Sequence, residues 1–241
     1  GILEAQEKAL ELVTSSRRGI VLKGRQVGIT TFLLAYDLLF AICNPGLTVI
    51  IAMQTDEIAK EKLGVIRSWC DEIEIPLVVR DAHKLVFGNG AIIKCMSSGS
   101  RAAEGQTRMA RGGSASMLHV SELAFWTLDS KAFQSLSSAA FPDAKIVVES
   151  TGTAAQSYFR KMWDTATDPM VEEPMYGAIF IGVEDDQDAR RDPRTITEET
   201  WAALQKDRGF SRRDTAAWWW QKLMGDYAGD VHGLLQEEPV K

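Results

Sequence analysis

Apolar residues recur at helix-compatible spacing from Ile2 to Val13, through Leu3, Ala9, Leu10 and Leu12, until Thr14-Ser15-Ser16 breaks the pattern. The short apolar run Gly19-Ile20-Val21-Leu22 then reads as a strand, and Phe32 to Ile42 as an almost wholly apolar helix. Between them lies a glycine-bearing turn, Lys23 to Thr31. A second buried strand, Leu47 to Ala52, precedes a helix with Ile58, Leu63, Ile66, Cys70 and Ile73 at spacings of three to five. Strand and helix alternate, which predicts an α/β fold on a mainly parallel sheet with helices on both faces.

Lys84 to Phe87 and Ala91 to Cys95 flank Gly88-Asn89-Gly90, a hairpin signal inserted into that alternation. The polar stretch Ser97 to Ser116 is too long for a simple connection, and long loops of that kind are usually functional. Met117 to Val120 and Lys145 to Val148 read as strands ending on polar residues, Ser121-Glu122 and Glu149-Ser150-Thr151, and Tyr176 to Gly182 as the last strand. After Glu184 the chain turns charged and helical. Capping-box patterns at Thr195-Ile196-Thr197-Glu198 and Ser211-Arg212-Arg213-Asp214 head segments that carry Trp201 and Trp218-Trp219-Trp220. The expected organisation is a nucleotide-binding core over residues 1–183, a helical lid or linker subdomain over 184–230, and the start of a further linker over 231–241.

With 241 residues and 45% hydrophobic content, one large domain with a small appendage can bury its own core. Cys43, Cys70 and Cys95 are odd in number and never in a CxxC pair, so neither a disulfide framework nor a zinc site is expected, and a reducing cytosol fits best. No run approaches the roughly 18 consecutive apolar residues of a membrane span, and the first residues lack a signal-peptide layout. The net charge of −6, from 27 Lys+Arg against 33 Asp+Glu, is opposite to that of a DNA-coating protein. Any DNA contact must therefore be local, through clusters such as Lys60-Lys62-Arg67, Arg190-Arg191-Arg194 or Arg208-Arg212-Arg213. Each of these is interleaved with acids and reads equally as a solvated face.

The strand, glycine turn and buried helix form the context of a phosphate-binding P-loop. In the common GxxxxGK[ST] pattern, backbone N–H groups and the helix N-terminus hold phosphate, lysine reaches the β/γ oxygens and the hydroxyl ligates Mg²⁺. Gly28 and Thr30 sit correctly here, but Ile29 occupies the lysine position and Lys23 the first-glycine position. A lysine at the other end of the same loop can curl back over the same phosphates, which makes Lys23 the candidate cation. The competing reading is an ordinary βα turn with Thr30 capping the helix.

These residues resemble the large terminase subunits of tailed bacteriophages, some of which shift the P-loop lysine to the first position. Gly24-Arg25-Gln26-Val27-Gly28-Ile29-Thr30-Thr31 with Lys23 looks like that shifted form. Ala110-Arg111-Gly112-Gly113 followed by Leu118 to Trp126 is similar to the family's arginine-glycine loop and Walker B segment, and Glu149-Ser150-Thr151-Gly152-Thr153 with Tyr158-Phe159 and Trp163 to its coupling motif and following helix. The resemblance implies a P-loop NTPase of the additional-strand, catalytic-glutamate type. It further implies an ATPase that drives double-stranded DNA into a procapsid, with ATP and Mg²⁺ as cofactors. The expected partners are DNA, other copies in a ring, expected as a pentamer on the portal, and a small terminase subunit; the expected place is the host cytoplasm, transiently at the portal vertex, with no membrane.

Phosphoryl transfer asks a protein for positioning and charge, so the roles are few. Lys23 and the Gly24–Gly28 backbone would hold phosphates, Thr30 would supply the Mg²⁺ hydroxyl, and Thr31 stands next in line. Glu122, at the end of an apolar strand, would orient and deprotonate the attacking water. Ser121 stands where the acid that assists Mg²⁺ usually lies; as a metal-site residue it can still hydrogen-bond a metal-bound water but contributes no charge. Arg111 would be the arginine finger, in its own subunit or a neighbour's, with Arg108 and Arg101 competing. By resemblance, Ser150, Thr151 and Gly152 would sense the γ-phosphate and Gln6 would contact adenine. His83, His119 and His232 have no metal-ligand spacing, and His119 reads as a hydrogen-bonded core residue.

Large terminases usually carry a second, nuclease domain, and no room is expected for one here; an excised ATPase fragment is the expectation, with a genuinely short family member as the alternative. Also open are a helicase-like ATPase working away from any capsid and a non-hydrolysing nucleotide-binding module, the latter encouraged by Ile29 and Ser121.

Overall fold

The computed structural model of the protein describes residues 3–98, 114–127, 129–153 and 156–240. The strands are β1 (Arg18–Lys23), β2 (Thr48–Met53), β3 (Leu77–Arg80), β4 (Lys84–Phe87), β5 (Ile92–Ser97), β6 (Ala115–Ser121), β7 (Ala140–Thr151) and β8 (Gly177–Ile181). They form one eight-stranded sheet in the order β3-β4-β5-β2-β6-β7-β1-β8. From β5 to β8 every neighbouring pair runs parallel, and β3 and β4 add an antiparallel edge. The expected hairpin is therefore present, as β4 and β5. Its extension β3 was not foreseen, because Leu77-Val78-Val79-Arg80 is short, half-exposed and follows a proline.

Alternation along the central strands divides the core in two. Val21, Val49, Ile51, Met117 and Val147 point to the face covered by α1 (Glu4–Ser15), α2 (Ile29–Cys43) and α3 (Asp56–Glu72). Ile20, Ile50, Leu118, Val120, Ile146 and Val148 point to the other face, covered by α4 (Asp129–Ser138) and α5 (Tyr158–Thr167). α2 is apolar nearly all round because it is wedged between sheet and neighbouring helices. Its one acid, Asp37, is fully buried and bonds His119 Nδ1 at 2.7 Å, so His119 is the hydrogen-bonded core residue its alternation suggests. Burial pushes the Asp37 pKa up, and Asp37 pulls that of His119 up against burial.

A third cluster gathers Val183, Ile196, Leu204, Phe210, Ala216, Ala217, Trp219, Leu223 and Leu234. It is built by α6 (Glu198–Arg208), α7 (Arg213–Gly225) and α8 (Val231–Glu237). Trp219 is buried, while Trp218 carries Lys222 Nζ 4.6 Å above its ring, so the tryptophan triplet serves packing as expected. Both capping expectations need correction. Thr197, two residues beyond Thr195, caps α6 by accepting from Thr200 N, and α7 begins after Arg212 with no side-chain cap of its own. There the Glu184 carboxylate accepts from the backbone of Ser211 and Arg212 at 2.9 Å each, a tertiary acceptor that replaces the local one. Among the described residues no helix is long and apolar enough to cross a membrane.

Candidate active site

β7 lies between β1 and β6, so the strand that launches the P-loop and the strand that leads into Glu122 are not neighbours. Register aligns Lys23 with Thr151 across β1 and β7, and Ser121 with Glu149 across β6 and β7. Lys23 shares the face of Val21, Glu149 that of Val147, and Ser121 that of Met117, so all three side chains sit on the α2 side at the C-terminal edge of the sheet.

Gln26 and Gly28 adopt positive φ, 59° and 74°, and turn the chain sharply into α2. The first helical bond there is Phe32 N to Gly28 O at 3.0 Å, and no side chain caps this end. The N–H groups of Ile29, Thr30 and Thr31 therefore precede the helical ladder, in the arrangement that accepts an anion. Two earlier N–H groups are spent within the protein: Gly24 donates to Ile181 O at 2.9 Å and Arg25 to Glu237 O at 2.8 Å. Ile29 points into the core, 1% exposed. Thr30 Oγ1 donates to Glu149 Oε1 at 2.9 Å, whereas Thr31 is exposed.

Lys23 is 5% exposed, and its Nζ lies 2.7 Å from Glu122 Oε1 and 3.3 Å from Glu149 Oε2. Burial pushes the ammonium pKa down, but Glu149 and Glu122 together outweigh it and raise the pKa above the usual lysine value. Glu122 sits just past β6 in the left-handed region, φ 54°, an uncommon conformation for a residue with a side chain. That backbone turn swings its carboxylate back across β7. Its Oε2 accepts from Thr151 N and Thr151 Oγ1 at 3.0 Å each and from Ser150 Oγ at 3.3 Å. Burial pushes the Glu122 pKa up, but Lys23 and Thr151 prevail and hold it below the usual carboxylate range.

Lys23, Thr30, Ser121, Glu122, Ser150 and Thr151 thus come together. Gln6 is beside them: its Oε1 accepts from Leu3 N at 3.1 Å, and a Cβ built on Gly28 would lie 3.2 Å from its Nε2. Gly152 packs near Leu22 and Gln236 O. Arg111, Arg108 and Arg101 lie outside the described residues. The basic clusters are largely engaged with acids, through Lys60–Asp56, Arg190–Asp214, Arg212–Asp214 and Arg213–Glu198.

Sequence reasoning missed two features. Glu149 is fully buried and receives Thr30, Ser121 and Lys23, with Ser121 Oγ at 2.5 Å. Its signal was a lone acid in phase with Val147 at the end of an apolar strand. The second is the C-terminal segment, which lies against the P-loop. Arg25 pairs with Glu237, Trp219 Nε1 donates to Glu238 O at 3.4 Å, Lys222 to Glu238 Oε1 at 2.7 Å, and Val183 N to Pro239 O at 3.1 Å.

Solved structures share this architecture. The ATPase domain of the large terminase of Thermus phage P74-26 matches with a TM-score of 0.60 at 13% identity, covering 94% of this chain and 91% of that one. The large terminase of a second thermophilic bacteriophage matches with a TM-score of 0.61 at 11% identity, covering 88% of this chain and 51% of that one. That same second protein in complex with ATP-gamma-S matches with a TM-score of 0.55 at 11% identity, covering 88% and 50%. This chain thus spans about half the length of the second phage's protein. No curated protein sequence matches it. The sequence profile of the family described as terminase large subunit, T4likevirus-type, N-terminal, matches residues 20–229. That match takes in the P-loop, both acid-bearing strands and most of the helical segment, and the chain belongs to the terminase large subunit family.

Proposed function

We propose that this chain is an ATPase motor domain that hydrolyses ATP to drive double-stranded DNA into a procapsid. The observation that carries the reading is the convergence of Lys23, Thr30 and Glu122 at the open N-terminus of α2. A cation, a hydroxyl, free backbone donors and a carboxylate there meet the positioning and charge requirements of phosphoryl transfer. Thr30 and the N-terminal N–H groups of α2 would take the phosphates, and Lys23 would exchange a carboxylate partner for phosphate oxygen. Glu122, released from Lys23 and still held by Thr151, would accept the proton of the attacking water. Ser150 and Thr151 would report γ-phosphate loss through their bonds to Glu122.

A divalent cation fits the same place, because the Thr30 hydroxyl lies against a fully buried carboxylate whose Oε2 is met, among the described residues, by the shared ammonium of Lys23 alone. Mg²⁺ bound there would neutralise charge on the phosphate oxygens. The relative solved in complex with ATP-gamma-S supports nucleotide as the ligand class, and the family supports DNA, a ring of copies on a portal, read as a pentamer, and a small terminase subunit as partners. Residues 184–230 are read as the lid, Arg111 as the arginine finger, Gln6 as an adenine contact, and the host cytoplasm and portal vertex as the place of action.

Phosphate release with and without DNA tests this reading. Glu122→Gln should bind nucleotide near normally and hydrolyse it on the order of a hundredfold more slowly. Turnover within about twofold of the parent would return Glu122 to a strand-end surface role.

A further inference from the structure

Ser121 poses a chemical question. A P-loop enzyme that uses Mg²⁺ commonly places an acid where β6 here ends in a serine, and a serine brings no charge to offset the metal and the triphosphate. The nearest carboxylate is one strand closer to the P-loop. Glu149, on β7, is fully buried, and its Oε1 accepts from Thr30 Oγ1 at 2.9 Å and from Ser121 Oγ at 2.5 Å. Among the described residues its Oε2 meets no donor other than Lys23 Nζ, its ion-pair partner at 3.3 Å.

A fully buried glutamate costs several kcal/mol in desolvation unless something compensates for it. Two hydroxyl donors and one shared ammonium compensate only in part, since Lys23 lies closer to Glu122. Among the described residues the second oxygen has only the ammonium that Lys23 shares with Glu122, which leaves an anionic oxygen that a bound metal would complement. We infer that Glu149 supplies the metal-facing carboxylate of this site, the acid having been transposed from β6 to β7, with Ser121 reduced to orienting it. The inference rests on the ATPase reading and assigns the metal's anionic partner within it.

The transposition also explains why position 121 carries no acid. Ser121 and Glu149 are register partners, so an aspartate at 121 would set two carboxylates side by side in a buried place, where like charges repel. Serine donates where aspartate would repel. Ser121 and Glu149 are therefore one unit, and exchanging their chemistry should be tolerated better than changing either alone.

The test measures binding of ADP to the full chain in EDTA and in Mg²⁺, and nucleotide-dependent Mn²⁺ binding by electron paramagnetic resonance. Glu149→Gln preserves shape and an acceptor for Thr30 and Ser121. It should keep metal-free ADP affinity within about threefold and lose about tenfold or more of the metal-dependent gain, with Mn²⁺ affinity falling in step. Ser121→Asp alone should also impair metal binding, and Ser121→Asp with Glu149→Gln should restore most of it. A Glu149→Gln protein whose Mg²⁺ and Mn²⁺ dependence equals the parent's would overturn the inference and leave nucleotide binding untouched. A parent that binds ADP in neither condition would instead overturn the ATPase reading, and this inference with it. Should Glu149→Gln alone fail to fold, the exchanged protein decides: parental metal dependence supports the transposition, and its absence refutes it.

Discussion

Replacing Lys23 by methionine removes an ammonium from between two carboxylates while keeping the length and apolar stem of the side chain. At separations of 2.7 Å from Glu122 and 3.3 Å from Glu149, and an effective dielectric near 20, the gross attractions are about 6 and about 5 kcal/mol. Most of that is offset by desolvation, and the Glu122 side chain is 30% exposed, so its share is screened further. The governing consequence is what the substitution leaves behind: Glu149, at 0% exposure, loses the ammonium paired with it. Breaking a buried pair from one side costs about 3–5 kcal/mol. In a chain of this size that lowers the unfolding midpoint by about 6–20 °C.

Adding Glu149→Gln to Lys23→Met removes the stranded charge, and the double variant should recover about 1–3 kcal/mol relative to Lys23→Met alone. Urea unfolding followed by tryptophan fluorescence, with a common slope required across the four proteins, measures the cycle. The pH profile follows from the two shifts. Lys23 is raised, so its contribution is complete below the ordinary lysine value of about 10.4 and is lost only as pH rises through the higher folded value. Glu122 is depressed, so its contribution is complete above about 4.3 and is lost as pH falls through the lower folded value. The Lys23→Met cost should therefore be flat from about pH 6 to 9. A cost under about 1 kcal/mol, or strict additivity with Glu149→Gln, would refute the claim that Lys23 holds the buried charge of Glu149 in the fold.

Ile29 occupies the usual lysine position but packs in the core, so Ile29→Ala should cost about 2–5 kcal/mol of stability while the folded fraction turns over normally; loss of turnover per folded molecule would show that it touches the site. His119→Leu leaves Asp37 buried without its partner and should cost about 3–5 kcal/mol, and Asp37→Leu in the same chain should recover much of it; a cost near zero by thermal unfolding would show that Asp37 does not need the imidazole. If Arg111 is a finger offered across a subunit boundary, specific activity should rise with protein concentration, and mixing Arg111→Ala with Glu122→Gln chains should restore part of the hydrolysis that each lacks alone. No recovery, together with activity per molecule independent of concentration, would put Arg111 in its own subunit's site or outside the mechanism.

Where one principle dominated, the sequence was readable. Ile20 and Val21, Val49 to Ala52 and Met117 to Val120 are buried on both faces, and continuous apolar runs of that kind have few alternatives to a central parallel strand. The edge was harder, since Leu77 to Arg80 gains its strand character from pairing with β4 and not from its own pattern. Capping failed for a related reason. A local Ser-x-x-Asp pattern at 211–214 competes with any better acceptor that the fold brings near, and Glu184 arrives from 27 residues away.

The site shows the same division between local and tertiary information. Lys23, Thr30 and Glu122 each sit at the end of a strand or the start of a helix, positions that mark themselves along the chain. Glu149 was passed over because it precedes Ser150 and Thr151, whose polarity drew attention to the strand end and hid the direction in which each residue points. Direction follows from the period of two: Glu149 falls in phase with Val147, toward α2, while Ser150 falls in phase with Val148, toward the other face. What the alternation could not supply was adjacency. That β7 lies between β1 and β6 is a fact of topology, and only with that order does an acid on β7 reach the P-loop hydroxyl before anything on β6 can. Ser121 and Glu149, far apart along the chain, are thus brought together by a single register pair in the sheet.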